Sequence, residues 1–302
     1  EDLWEKLGEV AFGELRTQTG LIMQLIAVSI LAAVLRQVSG SFCGREVGEM
    51  GFYVCYMVLI VVIITTFYDI TAMVVERVEQ TADIFGAMLP VFLALAASSG
   101  NLTQTALMGP TMMGGCTLIV LILKSVVVPV LLAAVALELV DRLSEQPLTA
   151  RFAALLRQGV SWGLKGLAGG FMLLLSLQKI GGGAVNGLAV RTAKIAVNAV
   201  PVVGDVMGGA VDTAAAVAGT IRSGTLAAAV IFLLLLCIPL VIKLVAMTLI
   251  FKLTAAAVES VCEARLVECI GIAGDYTALL LGVVFLVEVM FLFSSVLLLG
   301  VL

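Results

Sequence analysis

The chain has 302 residues, 62% of them hydrophobic and 13% charged, with a mean hydropathy of +1.19. Soluble domains are roughly 45–50% apolar and about 25% charged, so a soluble globular enzyme and a disordered protein are both excluded. The net charge of -4, from 17 Lys+Arg against 21 Asp+Glu, argues against nucleic acid as a partner, and no polybasic lipid-binding tract is present.

The absence of His removes a Ser-His-Asp triad, an imidazole base and a His-ligated zinc. The six Cys, at 43, 55, 116, 237, 262 and 269, form no C-x-x-C and carry no redox or metal motif. Most lie in apolar stretches, where a free Cys is a small hydrophobe.

In chain order, residues 1–20 place Leu3, Leu7, Val10, Ala11 and Leu15 at helical spacing beside Glu5, Lys6, Glu9, Glu14 and Arg16. This pattern predicts an amphipathic helix on the membrane surface. The stretch has no apolar core of signal-peptide length, and a first residue of Glu1 reads as processing or trimming. Six later segments reach or approach the roughly 20 apolar residues that cross a bilayer as a helix: 21–38, 51–75, 112–140, 161–180, 224–251 and 277–302. Backbone in lipid must satisfy its own hydrogen bonds, and strand-length alternating segments are missing, so these are predicted as helices rather than barrel strands.

Two apolar stretches fit less simply. Residues 83–100 are short, carry Pro90 and run into Asn101–Thr105; residues 188–219 carry Arg191, Lys194, Asp205 and Asp212 around Pro201. Each such charge facing lipid costs about 2.5–3.5 kcal/mol on insertion scales. Both are therefore expected as broken or re-entrant helices. The alternatives are an ordinary short span for 83–100 and an extramembrane helical hairpin for 188–219.

One shift of the sequence lays Thr81-Ala82-x-Ile84 on Thr192-Ala193-x-Ile195 and Pro90-Val91 on Pro201-Val202. A shift one residue shorter lays Pro129 on Pro239, Val135-Ala136 on Val245-Ala246 and Leu139 on Leu249. A tandem duplication follows, with 51–160 and 161–270 as membrane repeats, and repeat interfaces in membrane proteins often carry the functional path. Around them stand the 1–20 amphipathic helix, a first transmembrane helix and connector over 21–50, and a C-terminal transmembrane helix over 271–302. Each repeat ends amphipathically. Leu148, Phe152, Leu155 and Leu156 oppose Arg151, Arg157 and Gln158; Val258, Cys262, Leu266 and Cys269 oppose Glu259, Glu263 and Glu268. Interfacial or partner-docking helices and plain connectors are equally consistent with this. Lys and Arg divide evenly between the two sides, so the positive-inside rule gives no orientation.

Glu288 lies between TALLLGVVFLV and VMFLFSSVLLLGVL. An ionisable group at that depth is a functional candidate, as are Lys124, five residues before Pro129, and Lys243, four after Pro239. The structural reading is a buried Glu–Lys pair or lysines snorkelling to the interface. Pro129 and Pro239 are expected to kink their helices as packing features or hinges. Asp205 and Asp212, beside Gly204, Gly208 and Gly209, form a weak candidate cation site. No catalytic, cofactor or metal constellation is read.

Residues 89–100, LPVFLALAASSG, with Asn101-Leu102-Thr103, resemble a signature of the stage III sporulation protein AE family. So do 191–213, RTAKIAVNAVPVVGDVMGGAVDT, the Tyr56–Ile60 run, Pro239–Lys243 and Lys252–Ala256. The resemblance covers nearly the whole chain from about residue 20. It implies a multi-pass protein of endospore-forming bacteria, typically made with a signal peptide, in the mother-cell membrane around the forespore. There the family belongs to an assembly that, with a forespore-side partner, forms a proposed channel or feeding tube supporting late forespore gene expression.

The fold class expected is all-α: a polytopic transmembrane bundle with an internal tandem repeat, two Pro-containing broken segments and interfacial amphipathic helices. The function expected is a non-enzymatic subunit of that secretion-like channel complex. The alternative is a secondary transporter moving a small solute or ion between two repeats. Expected partners are other stage III sporulation proteins and the lipid bilayer, with a homo-oligomer as a further arrangement.

Overall fold

The computed structural model describes Gly13 and residues 19–42, 45–98, 102–142, 149–180 and 224–300. The described residues are helical throughout, apart from short turns, and contain no strand. We label the helices α1 (Thr19–Phe42), α2 (Arg45–Ser98), α3 (Leu102–Ile122), α4 (Val128–Asp141), α5 (Ala150–Ile180), α6 (Gly224–Val258) and α7 (Ala264–Gly300). A π-helical segment, Leu123–Val127, joins α3 to α4.

Four described stretches are long and apolar enough to cross a membrane: Met50–Pro90, Met112–Asp141, Ile238–Val258 and Ala264–Ser295. The described parts of the six expected segments are all helical.

Residues 83–98 do not form a separate broken or re-entrant element. They complete α2, a 54-residue helix with Pro90 inside it. At about 1.5 Å per residue that helix is ~81 Å long, against a hydrocarbon core of roughly 30 Å. The 188–219 segment, with Pro201, Asp205 and Asp212, and the 1–12 part of the N-terminal amphipathic stretch lie outside the described residues.

The chain forms two compact units. One gathers the chain up to Ala72, Val130–Gln158 and Ile242–Leu281; the other gathers Met73–Pro129, Gly159–Val241 and Gly282–Leu302. Neither is a contiguous half of the sequence, so 51–160 and 161–270 each contribute to both. The first unit buries Tyr56, Leu59, Ile63 and Phe67 of α2 with Leu131 and Leu139 of α4, Leu244 and Phe251 of α6, and Leu266, Tyr276 and Leu280 of α7. In the second, Phe85 of α2 and Phe291 of α7 meet with ring centroids 5.1 Å apart, and Cys116 Sγ lies 3.4 Å from Ser294 Oγ. Packing there is close enough that a Cβ at Gly115 would come within 2.8 Å of Leu174 Cδ1.

Two amphipathic predictions need correction. Val258–Cys269 is not one helix: α6 ends at Val258, a turn follows in which Val261 and Cys262 N–H both bond the Val258 carbonyl, and α7 starts at Ala264. The expected apolar face survives the break, because Val258, Leu266 and Cys269 are buried on either side of it. In α5 the buried face runs through Ala153, Val160, Leu164, Ala168 and Phe171, while Phe152 and Leu155 point outward. Arg157 turns inward.

Candidate functional site

Proline chemistry explains the π-helical segment. Pro129 has no N–H, and its ring collides with the carbonyl four residues back, at Ser125. In the structure the Val128 N–H bonds the Leu123 carbonyl, a five-residue step. This widens the turn just before the proline, and such bulges recur at functional sites. Lys124 sits inside the segment and pairs with Glu79 of α2. Their side chains are 50% and 45% exposed. Pro90 and Pro239, by contrast, lie within continuous helices, and all three prolines are exposed.

Around this pair α2 presents a polar stretch on the second unit. Gln80 Nε2 donates to Glu76 at 3.2 Å, Arg77 donates to Gln80 Oε1 at 3.4 Å, and Asp83 is exposed. Glu288, on α7 of the same unit, is only 8% exposed and is engaged by other groups. Lys124, expected as a partner for Glu288, has Glu79 as its ion-pair partner. Lys243 is half-buried on α6 in the first unit and is likewise engaged.

The first unit holds a polar cluster built by four helices. The Tyr276 ring is fully buried. Its hydroxyl donates to Glu138 Oε2 at 2.7 Å, its edge meets Phe67 with centroids 6.4 Å apart, and the Arg157 guanidinium carbon lies 5.3 Å from its centroid. Next to it, Asp275 takes Arg157 at 3.5 Å and Lys252. The Lys252 methylenes lie along Gly274, where a Cβ would come within 3.2 Å of Cε, so the glycine leaves room for the lysine stem.

About two turns away on α7, the Tyr56 hydroxyl and Cys269 Sγ are 2.8 Å apart, and Arg142 pairs with Glu268. Asp141 accepts the Thr149 N–H at 2.6 Å and its hydroxyl at 2.9 Å, tying the end of α4 to the start of α5.

Sequence reasoning singles out none of Tyr276, Glu138, Arg157, Asp275 or Lys252 as a site residue. Glu138 carries a usable signal, an ionisable group near the end of an apolar run. The others sit where apolar segments turn polar and read as ordinary helix ends. Within the described residues no group of three or more Cys, Asp or Glu is placed to hold a metal ion.

The chain matches the family described as Stage III sporulation protein AE over residues 1–301. It is 25% identical over 288 residues to the Stage III sporulation protein AE of Bacillus subtilis (strain 168), covering 94% of this chain and 71% of that protein. No solved structure matches.

Proposed function

The chain belongs to the stage III sporulation protein AE family, and from that premise we propose that it is a multi-pass, non-enzymatic membrane subunit of a mother-cell channel complex required for forespore development. The observation that carries this reading is the whole-chain family match joined to four helices of membrane-spanning length. Those helices suit a protein seated in a bilayer as a platform through which other subunits are held. A chain without His lacks imidazole acid–base chemistry, and its polar clusters are closed into ion pairs and hydrogen bonds between helices. On this reading the partners are other stage III sporulation proteins and lipid, at the mother-cell membrane around the forespore.

The competing reading, a secondary transporter, draws on Glu288, a carboxyl buried in an apolar helix. The two differ in what the protein does alone. A deletion strain should engulf the forespore and then fail to complete spore development, and the purified chain in proteoliposomes should show no solute or ion flux beyond protein-free vesicles. Normal sporulation of the deletion strain would remove the proposed role. Sustained flux by the isolated chain would favour the transporter.

A further inference from the structure

We propose that a second copy of this chain docks on the face of the second unit that carries Lys124 and Glu79; the inference rests on the membrane-spanning reading given above. Lys124 interrupts the apolar run of α3 and α4, with TLIVLIL before it and SVVVPVLLAAVAL after it. Glu288 likewise interrupts α7. The height of the pair follows from contacts inside the unit. Phe85 is level with Phe291, and Glu79 lies six residues, or ~9 Å, back along α2. The Lys124–Glu79 pair is therefore level with Phe285 of α7, three residues from Glu288. A polar layer crosses this unit at the depth where α7 and the α3–α4 run are apolar above and below.

Glu288 meets the demand of that depth by burial. The Lys124–Glu79 pair does not, with half of each side chain open. Ionisable groups at membrane depth face protein or water rather than lipid, and the exposed apolar residues Leu118 and Leu121 leading to Lys124 favour protein on this face.

Self-association is the occupant the charges favour. A two-fold contact sets the same patch against itself, so the patch must complement its own image. Here both signs lie side by side: Lys124 offers three N–H donors against one carboxylate, and Asp83, one turn from Glu79 on α2, is an exposed acid. Across a two-fold axis each Lys124 gains the second copy's Asp83. The stripe leading to Lys124 is shaped for close approach, because Gly114, Thr117, Leu118 and Leu121 are all exposed and no atom lies within 4 Å of a Cβ built at Gly114. Small residues at such positions let membrane helices approach closely.

The test uses the full chain in lipid nanodiscs and in native membranes. Native mass spectrometry should find dimers, and a Leu121→Cys variant treated with a short bismaleimide in membranes should give a dimer band absent from the parent chain. Lys124→Glu, which sets acids against acids, should weaken the dimer at least about tenfold; the double swap Lys124→Glu with Glu79→Lys should restore it. Leu121→Cys leaves the ion pair intact and so tests the face even if the charge variants fold poorly. A monomer that resists alkaline carbonate extraction overturns the docking proposal and leaves the spanning reading standing. A dimer without the Leu121→Cys band places the contact elsewhere and also overturns it. Release of the protein by carbonate removes the spanning reading, and the proposal with it.

Discussion

Tyr276 joins three kinds of interaction in one fully buried side chain: a hydroxyl bond to Glu138, an edge contact with Phe67 and a guanidinium over its face. Tyr276→Phe keeps the ring and loses the bond to a carboxylate, which should cost about 1.5–3 kcal/mol. Tyr276→Ala also opens a cavity and should cost about 3–5 kcal/mol. The thermal midpoint of the purified protein in one fixed detergent should rank wild type, Phe and Ala in that order.

Glu288 asks a different question, because it is buried within an apolar helix. Glu288→Gln keeps hydrogen-bonding capacity and should preserve sporulation better than Glu288→Leu; equal loss for both would mean that the charge itself is needed. Cys262, in the turn between α6 and α7, has its Sγ 3.2 Å from the Ser29 carbonyl, and burial raises its pKa above the usual thiol range. A raised pKa leaves less thiolate at neutral pH. Its labelling by maleimide should therefore be slow near neutrality and accelerate as the pH rises toward that pKa, measured by mass spectrometry of the modified peptide.

At the scale of elements, the π-helical segment shows what a proline does to a helix whose two ends are both packed. The extra residue in the turn keeps Leu123 and Val127 buried within the segment and Leu131, Ala134, Val135 and Leu139 buried after it. Deleting Ser125 would restore ordinary winding and rotate those α4 residues by about 100°, one residue's turn in a helix of 3.6 per turn. That variant should lose folded protein in membranes, whereas Pro129→Ala, at an exposed position inside a turn already widened, should be tolerated. Immunoblots of detergent-stable protein after size exclusion distinguish the two.

Helix identity was legible because apolar runs of this length admit little else in a bilayer. The π-helical segment was not, because Pro129 announces a disturbance without saying whether the chain bends, breaks or widens. The turn at 259–263 was hidden for a related reason: the apolar spacing from Val258 to Cys269 continues across it, since both flanking helices bury the same side. In α5 the sequence shows the helical period but not which side is buried. Phe152 and Leu155 are the larger apolar residues, but small Ala153 and Ala168 face the packed interior, and Trp162, 69% exposed, extends the outer stripe.

For the molecule as a whole, the described residues form helices whose apolar length exceeds one bilayer crossing, and most of the ion pairs among them run across helices rather than along one. Pairing of that kind is set by tertiary packing, which is why Glu138, Arg157, Lys252 and Asp275 are silent in the sequence while Glu288 and Lys124 stand out as isolated charges. We propose that 51–160 and 161–270 arose by duplication. The compact units change over directly after Pro129 in one stretch and two residues after Pro239 in the other, so the matched prolines fall at matching places. An experimental structure placing the Pro201 segment in a position unrelated to the Pro90 segment would contradict it.

If this protein works as a membrane-held member of a sporulation assembly rather than alone, its company in the cell must show it. Affinity purification of the tagged chain, expressed at its native level, from the membranes of sporulating cells is the decisive measurement. The protein should stay in the membrane after carbonate washing and co-purify in mild detergent with other stage III sporulation membrane proteins, in fixed proportion. A chain that purifies free of them, from cells in which those proteins are present, would contradict membership of such an assembly.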